Sequence, residues 1–419
     1  MAKHICPFEL AENFMRDVLV KVGVAPEDAA ITADVLVESD KRGHDTHGVG
    51  RCKPIYYDRI KKGILNTKVE ITIEKETPTT AVIDGHNSLG HVVSKRAMQM
   101  AIDKAKKNGL GMVVVRNSTH NGIAGYYSSM AADQGCIGMC GTNARPSIAP
   151  TFAVENMLGT NPLCFAFPSD EKFAFNLDCA TSIAQRGRVE QYARDGLTLP
   201  SGWVIDSHGK PATDPDAVLQ MLTKGEAAMA PLGGIGEETA GYKGYGYATV
   251  VEVLSAALSS ANFLRACYGK KADGSAGPIE LGHFFFAADV SAFTDLATFK
   301  KNTGDIMREL RTAKLAEGAT RIYTAGEKEF EAYHHQLEQG GVVIEGPIAH
   351  TFDVMREETG LTQYIFPWDE KYAQMMKEQG KKEGETIYTD DLIKSMCLDP
   401  SFHASKGCMG ACNCHHRTV

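Results

Sequence analysis

Nowhere in the 419-residue chain does an uninterrupted apolar run approach the ~20 residues that cross a bilayer. No membrane-spanning helix, and no membrane partner, is therefore expected. Basic charge is not in excess either. Lys and Arg number 44 against 52 Asp and Glu, a formal net charge of −8, which leaves nucleic acid an unexpected partner. Residues 1–22 break their apolar content with Lys3, Glu9, Glu12, Arg16, Asp17 and Lys21. They lack the apolar core of a signal peptide, so the expected location is cytoplasmic. A disulfide framework is missing as well: the eleven cysteines are an odd number, and Cys6, Cys52, Cys136, Cys140, Cys164, Cys179 and Cys267 are scattered through apolar or motif contexts. Several chemical signatures are absent. Gly234 with Gly236, and Gly244 with Gly246, each lack the third glycine of the Rossmann dinucleotide loop. There is no Walker A sequence and no G-x-S-x-G elbow. The body has neither H-x-x-x-H nor C-x-x-C, so no metal site is expected there.

What is present is an ordinary globular composition, 43% hydrophobic and 23% charged. Apolar spacing predicts two helices in the first ~45 residues, separated by Gly23 and Pro26. A short helix is predicted at 55–62, an alternating strand at 69–73, and a helix at 94–107. Continuous apolar runs at 111–115, 137–140, 163–167 and 284–288 predict buried strands, with a helix at 248–263 among them. Strands and helices mix without a regular βαβ alternation. The chain turns helical and charged again after Ser291. The expected division is a helical domain from 1–75 and 301–357, an α/β cofactor- and substrate-binding domain at 76–300, and an extension at 358–419.

Two segments carry candidate chemistry. In Thr46-His47-Gly48-Val49-Gly50-Arg51, the arginine offers a planar fork for a carboxylate and the imidazole a group near the oxygen that changes bond order. The same residues also fit a helix end, with His47 favouring the dipole and Arg51 on the surface. Asn117-Ser118-Thr119-His120 directly follows a predicted buried strand. That position suits a residue that passes protons, and equally a histidine capping a helix that begins near Gly125. The polar clusters Gly159-Thr160-Asn161-Pro162 and Asp178-Cys179-Ala180-Thr181-Ser182, and Lys243-Gly244-Tyr245-Gly246 ahead of a helix, offer donors for phosphate or ribose.

Taken in order, these segments resemble the type 2 malate/lactate dehydrogenase family, which also contains sulfolactate and ureidoglycolate dehydrogenases, diketogulonate reductase and piperideine-carboxylate reductase. The matching text also includes Gly141-Thr142-Asn143, Ile148-Ala149-Pro150, Leu199-Pro200-x-Gly202-Trp203, Thr213-Asp214-Pro215, Pro231-Leu232-Gly233-Gly234 and Gly282-His283-Phe284-Phe285, and spans roughly 8–350. The resemblance implies an α/β fold: three α/β/α layers with a mixed sheet, non-Rossmann, a helical domain from both chain ends, and a homodimer. It implies hydride transfer between NAD or NADP and a small 2-hydroxy or 2-oxo acid. His120, His47 and Arg51 would be catalytic, and Thr46, Arg51 and Asn143 would touch substrate. Asn161, Asp178, Ala180, Thr181, Ser182, Lys243, Gly244, Gly326 and Glu327 would hold the cofactor. The family pattern is altered at Thr46, where serine is more usual, after Pro150, where Thr151-Phe152 replace a glycine pair, and at Ala325-Gly326-Glu327, where proline usually leads.

Two other readings stay open. One is NAD(P)H-dependent reduction of a cyclic imino acid. The other is a nucleotide-binding metal or redox sensor, prompted by the terminal Cys408, Cys412, Cys414, His415 and His416.

Overall fold

Alternation along the apolar runs sets the centre of the structure, because successive side chains of a strand face opposite sides of its sheet. The computed structural model of the chain describes residues 3–382, so the Cys- and His-rich terminus lies outside the described residues. Among the described residues the strands are, in chain order, β1 (Lys3–Pro7), β2 (Thr72–Glu76), β3 (Thr80–Asp84), β4 (Leu110–Ser118), β5 (Cys136–Thr142), β6 (Leu163–Phe167), β7 (Phe175–Cys179), β8 (Val204–Asp206), β9 (Ala227–Met229), β10 (Leu281–Asp289) and β11 (Gly341–Glu345).

Seven of these form one sheet in the order β2-β3-β4-β10-β5-β6-β7. β3 and β4 run parallel, and every other neighbouring pair is antiparallel. The sheet is therefore mixed, as the family resemblance implies. Val113, Val115 and Phe285 face helices Gly90–Asn108 and Gly125–Asp133. Val114 and Phe284 face the other way, onto helix Gly241–Glu252 and its π-helical continuation Val253–Ala257. Three layers result. Helix Gly241–Glu252 starts seven residues earlier than its apolar spacing predicts, because its glycines are packing positions. A Cβ on Gly241 or Gly244 would overlap the carbonyl of Gly234 or Leu232.

The two chain ends share a second core. Phe14 on helix Phe8–Lys21 packs against Phe352, Tyr364 and Phe366 with ring centroids 4.9–5.2 Å apart. Helix Pro26–Lys41 joins the same cluster. This part also contains a two-stranded sheet, β1 with β11, which helical spacing does not predict. Helix Leu296–Arg311 lies elsewhere: Arg308 and Arg311 bond Asp170 and Glu171, in the turn between β6 and β7. A third cluster, with Ile148, Leu158, Val204, Val218 and Met229, gathers around β8 and β9. Among the described residues no helix is long and apolar enough to cross a membrane.

Candidate active site

Helix Pro26–Lys41 ends in two short 3₁₀ turns, Asp45–His47 and Val49–Arg51, and buried Asp40 holds them in place. Its Oδ2 accepts the Val49 N–H at 2.7 Å. A Cβ on Gly48 would overlap that carboxylate, so only glycine lets the turn close over it. Burial, with Asp45 adding to it against the Val49 hydrogen bond, pushes the Asp40 carboxyl well above its usual range. The Thr46 hydroxyl bonds His47 Nδ1 at 2.9 Å, and Arg51 Nε donates to the Thr46 carbonyl. These contacts leave His47 Nε2 and the two terminal nitrogens of Arg51 available to a ligand.

His120 follows β4, two residues past its end. Its Nδ1 lies 2.6 Å from the Tyr56 hydroxyl and accepts the Gly122 N–H at 3.3 Å. A backbone N–H can only donate, so the neutral ring keeps its lone pair on Nδ1 and its hydrogen on Nε2. The Tyr56 hydroxyl also lies 3.1 Å from Nε2 of fully buried His91. Tyr56 belongs to a π-helical turn, Cys52–Tyr57, and the helix predicted at 55–62 starts there. Burial draws His120 well below the ordinary imidazole range, helped by the charges of His47, His91, Arg59 and Arg51. His47 is drawn down to about 4, by burial first and then by Arg51, with Asp178 opposing. At neutral pH both rings are uncharged bases.

Thr46, His47, Arg51 and His120 line one cleft of about 680 Å³. Asp178, on β7, approaches from behind. Its Oδ2 accepts the Gly125 N–H at 2.7 Å, at the start of helix Gly125–Asp133, and its Oδ1 accepts the Cys164 thiol at 2.9 Å. A carboxylate at a helix N-terminus is favourably placed. A Cβ on Gly125 would lie 2.6 Å from Oδ2, which explains the glycine. It is Asp178, not His120, that answers the bare start of this helix.

The remaining predicted residues fall into three groups. Asn143 and Asn161 are fully buried, and their amides donate to Glu252 at 3.3 and 2.7 Å; neither side chain reaches the cleft. Thr181 and Ser182 follow half-buried Ala180 off the end of β7. They meet Lys243 and Gly244 through the turn at Pro231–Gly234: Leu232 N–H bonds Thr181 O at 2.8 Å, Ser182 bridges to Pro231, and Gly244 packs on Leu232. The buried Ser182 hydroxyl has no protein partner, helix Gly241–Glu252 has no side-chain cap, and Lys243 stands exposed in its first turn. An unpaired hydroxyl, a helix start without a side-chain cap and an ammonium suit a phosphate, so this wall fits a nicotinamide dinucleotide. Gly326 and Glu327 lie at the opposite end of β7, where Asn176 N–H bonds Ala325 O at 3.3 Å. The Glu327 carboxylate is already engaged by Thr324, Arg311 and Arg321.

The sequence reading did not single out Tyr56, His91, Asp40 or Glu252. Each sits in an unremarkable helical stretch, and only the contacts above reveal it. Among the described residues no three His, Cys, Asp or Glu side chains converge in a way that could hold a metal ion.

The family model described as malate/L-lactate dehydrogenase matches residues 6–351. The chain is 41% identical over 328 residues to a malate dehydrogenase of Pyrococcus horikoshii, covering 78% of this chain and 88% of that one. It is 42% identical over 313 residues to an L-sulfolactate dehydrogenase of Methanocaldococcus jannaschii, covering 74% and 85%. Its structure superposes on the crystal structure of malate dehydrogenase from Entamoeba histolytica with a TM-score of 0.82 at 46% identity, covering 86% of this chain and 99% of that one.

Proposed function

This chain belongs to the malate/L-lactate dehydrogenase family, and on that premise we propose that it interconverts a small 2-hydroxy acid and its 2-oxo acid with NAD or NADP. The nicotinamide, when bound, supplies the hydride acceptor for oxidation and the donor for reduction. Thr181, Ser182, Lys243 and Gly244 would hold its phosphate-bearing part.

The chain's own residues do the rest. The two terminal nitrogens of Arg51 pair with the substrate carboxylate and fix which face of C2 is presented. His120 Nε2 sits opposite the Nδ1 that Tyr56 holds. In oxidation the ring hydrogen shifts to Nδ1, where the Tyr56 oxygen can accept it, and the Nε2 lone pair so freed takes the C2 hydroxyl proton; in reduction Nε2 returns it. His47 stacks beside it and orients the substrate oxygen. Asn143, Asn161 and Glu252 act from behind as positioning residues. The observation that carries this reading is the convergence of His120, His47 and Arg51 on one cleft.

The catalytic unit in this reading is a homodimer. Tyr247, Val250, Val253 and Leu258 form an exposed apolar face along one helix, each about half accessible, and a second copy would cover it. The division of the chain into a body at 76–300 and a part from 1–75 and 301–357 belongs to the same proposal, except that helix Leu296–Arg311 bonds the β6–β7 turn and goes with the body.

The test is a panel of 2-oxo acids and a cyclic imino acid assayed with NADH and with NADPH. Turnover of a 2-oxo acid is expected. A cyclic imino acid turned over faster than every 2-oxo acid would replace this reading with imine reduction. Arg51→Lys keeps the charge and loses the fork, so it should cost about 1–3 kcal/mol in kcat/KM with cofactor KM unmoved.

A further inference from the structure

Behind the proposed base stands a second buried imidazole. His91 is the second residue of helix Gly90–Asn108 and is fully buried. The start of that helix packs onto the loop that carries His120. Gly90 N–H donates to Thr119 Oγ1 at 3.0 Å, and that hydroxyl donates to Ser88 O at 2.7 Å. A Cβ on Gly90 would lie 2.5 Å from His120 O, and one on Gly122 would lie 2.7 Å from His91 Nε2. Two glycines thus let the loop and the ring close on each other.

Among the described residues, the His91 ring bonds the Tyr56 hydroxyl from Nε2 at 3.1 Å, and its Nδ1 has no hydrogen-bond partner. Burying an imidazole on one hydrogen bond is costly, so packing alone gives no reason for a histidine here. Nor does His91 store a proton. Burial, then His47, holds it at about 3, so at working pH it is neutral and offers a hydrogen bond only. Tyr56 keeps its hydrogen as well, since burial pushes its phenol well above the usual range. A hydroxyl has one hydrogen to give. At rest it goes to His120 Nδ1, 2.6 Å away. When His120 carries a hydrogen on Nδ1, the Tyr56 oxygen becomes the acceptor and its own hydrogen must turn away. The acceptors then within reach are His91 Nε2 at 3.1 Å and the His120 carbonyl at 3.4 Å, and the nearer is His91.

We propose that His91 is a positioning residue for the proton transfer: its Nε2 lone pair receives the Tyr56 hydroxyl hydrogen whenever His120 Nδ1 carries one, and the hydroxyl works as a two-position switch between two imidazoles. This rests on the dehydrogenase reading above, with His120 as the base. No proton leaves His91 or Tyr56; the hydroxyl hydrogen only rotates. His91 keeps its own hydrogen on Nδ1, the nitrogen without a partner, which leaves Nε2 ready to accept. The protonated His120 ring is thereby held by an unbroken chain, Nδ1–H to Tyr56 oxygen and Tyr56 O–H to His91 Nε2.

The experiment is a double-mutant cycle on the full chain, read in oxidation of the 2-hydroxy acid whose 2-oxo form is turned over best. His91→Phe keeps a ring and deletes the acceptor. It should lower kcat by about three- to five-fold, with the KM of substrate and of cofactor moving by less than about two-fold and a larger solvent isotope effect on kcat. His91→Gln, whose amide oxygen can accept the same hydrogen, should recover a good part of the loss. With Tyr56 already replaced by Phe, the switch is gone, and adding His91→Phe should cost less than about two-fold more. Should His91→Phe fail to fold, His91→Leu set against His91→Gln makes the same comparison. Equal losses from the His91 replacement in both backgrounds, or His91→Gln no better than the apolar variant, would assign His91 to packing and overturn the switch, leaving the dehydrogenase reading standing. No turnover of any 2-hydroxy acid by the wild type with either cofactor overturns both.

Discussion

The rings of His47 and His120 lie nearly parallel, their centroids 5.6 Å apart and their planes inclined by 19°. Two imidazoles so close cannot both carry a proton cheaply, and each lowers the affinity of the other. The pair therefore takes up at most one additional, charging proton at a time, which matches a reaction that moves one.

The first prediction concerns pH. In hydroxy-acid oxidation the base must start neutral, so kcat/KM falls as pH drops through its pKa. Burial first, then His47 and the nearby charges, hold that pKa well below 6.5. The acid limb for oxidation should thus lie below the ordinary histidine range. His47→Gln removes a neighbouring charge and should move the limb upward while activity persists. His120→Gln should lower turnover by ~10²-fold or more and flatten the limb. A limb that vanishes in His47→Gln and survives in His120→Gln would reverse the two roles.

Tyr56→Phe tests the contact behind the base. It deletes the 2.6 Å hydrogen bond to His120 Nδ1 and the 3.1 Å bond to His91, and preserves the aromatic volume. A positioning hydrogen bond of about 1 kcal/mol translates into a roughly five-fold lower kcat, with substrate KM little changed and the acid limb displaced. Equal losses in binding of cofactor and substrate, with the limb in place, would show that Tyr56 serves only the fold.

Acid should unfold the protein for an identifiable reason. His91 and His283 are fully buried, and burial holds each at about 3, against an unfolded value near 6.5. Below pH 6.5 the unfolded chain takes up protons that these rings refuse, so stability falls as pH drops from 6.5 towards 3. At pH 5 each ring should contribute about 2 kcal/mol of loss. Melting temperatures measured between pH 7 and pH 5 should drop steeply in the wild type and less steeply in His283→Gln. Parallel slopes for the two proteins would remove His283 from the effect.

Much of the architecture was legible because it depends on local repetition. The runs around 111–115, 137–140, 163–167 and 284–288 became β4, β5, β6 and β10, since four or more consecutive apolar side chains can be buried only between two covering layers. β1 and β11 were not legible. Each is short, and each exists because the other supplies its hydrogen bonds across more than 330 residues. The half-buried strand β7 and the three-residue pair β8 and β9 likewise lack an apolar run of their own.

The candidate site divides along the same line. Sequence by itself determined which residue types are available for the chemistry, a histidine and an arginine in one short motif and a second histidine after a buried strand. That Thr46, His47, Arg51 and His120 share a cleft also followed from the family resemblance. Whether a side chain faces the cleft or stands behind it was decided only by the tertiary structure. Asn143 and Asn161 carry the same amide as any surface asparagine, yet both are spent on Glu252, a residue whose number gives no hint of it. Tyr56 and His91 lie in ordinary helical stretches and gain meaning only where β4 delivers His120 between them and the cleft. Composition and spacing set what a segment can do; burial, charge and hydrogen-bond geometry depend on atoms far away in the chain, and those exist as neighbours only once it has folded.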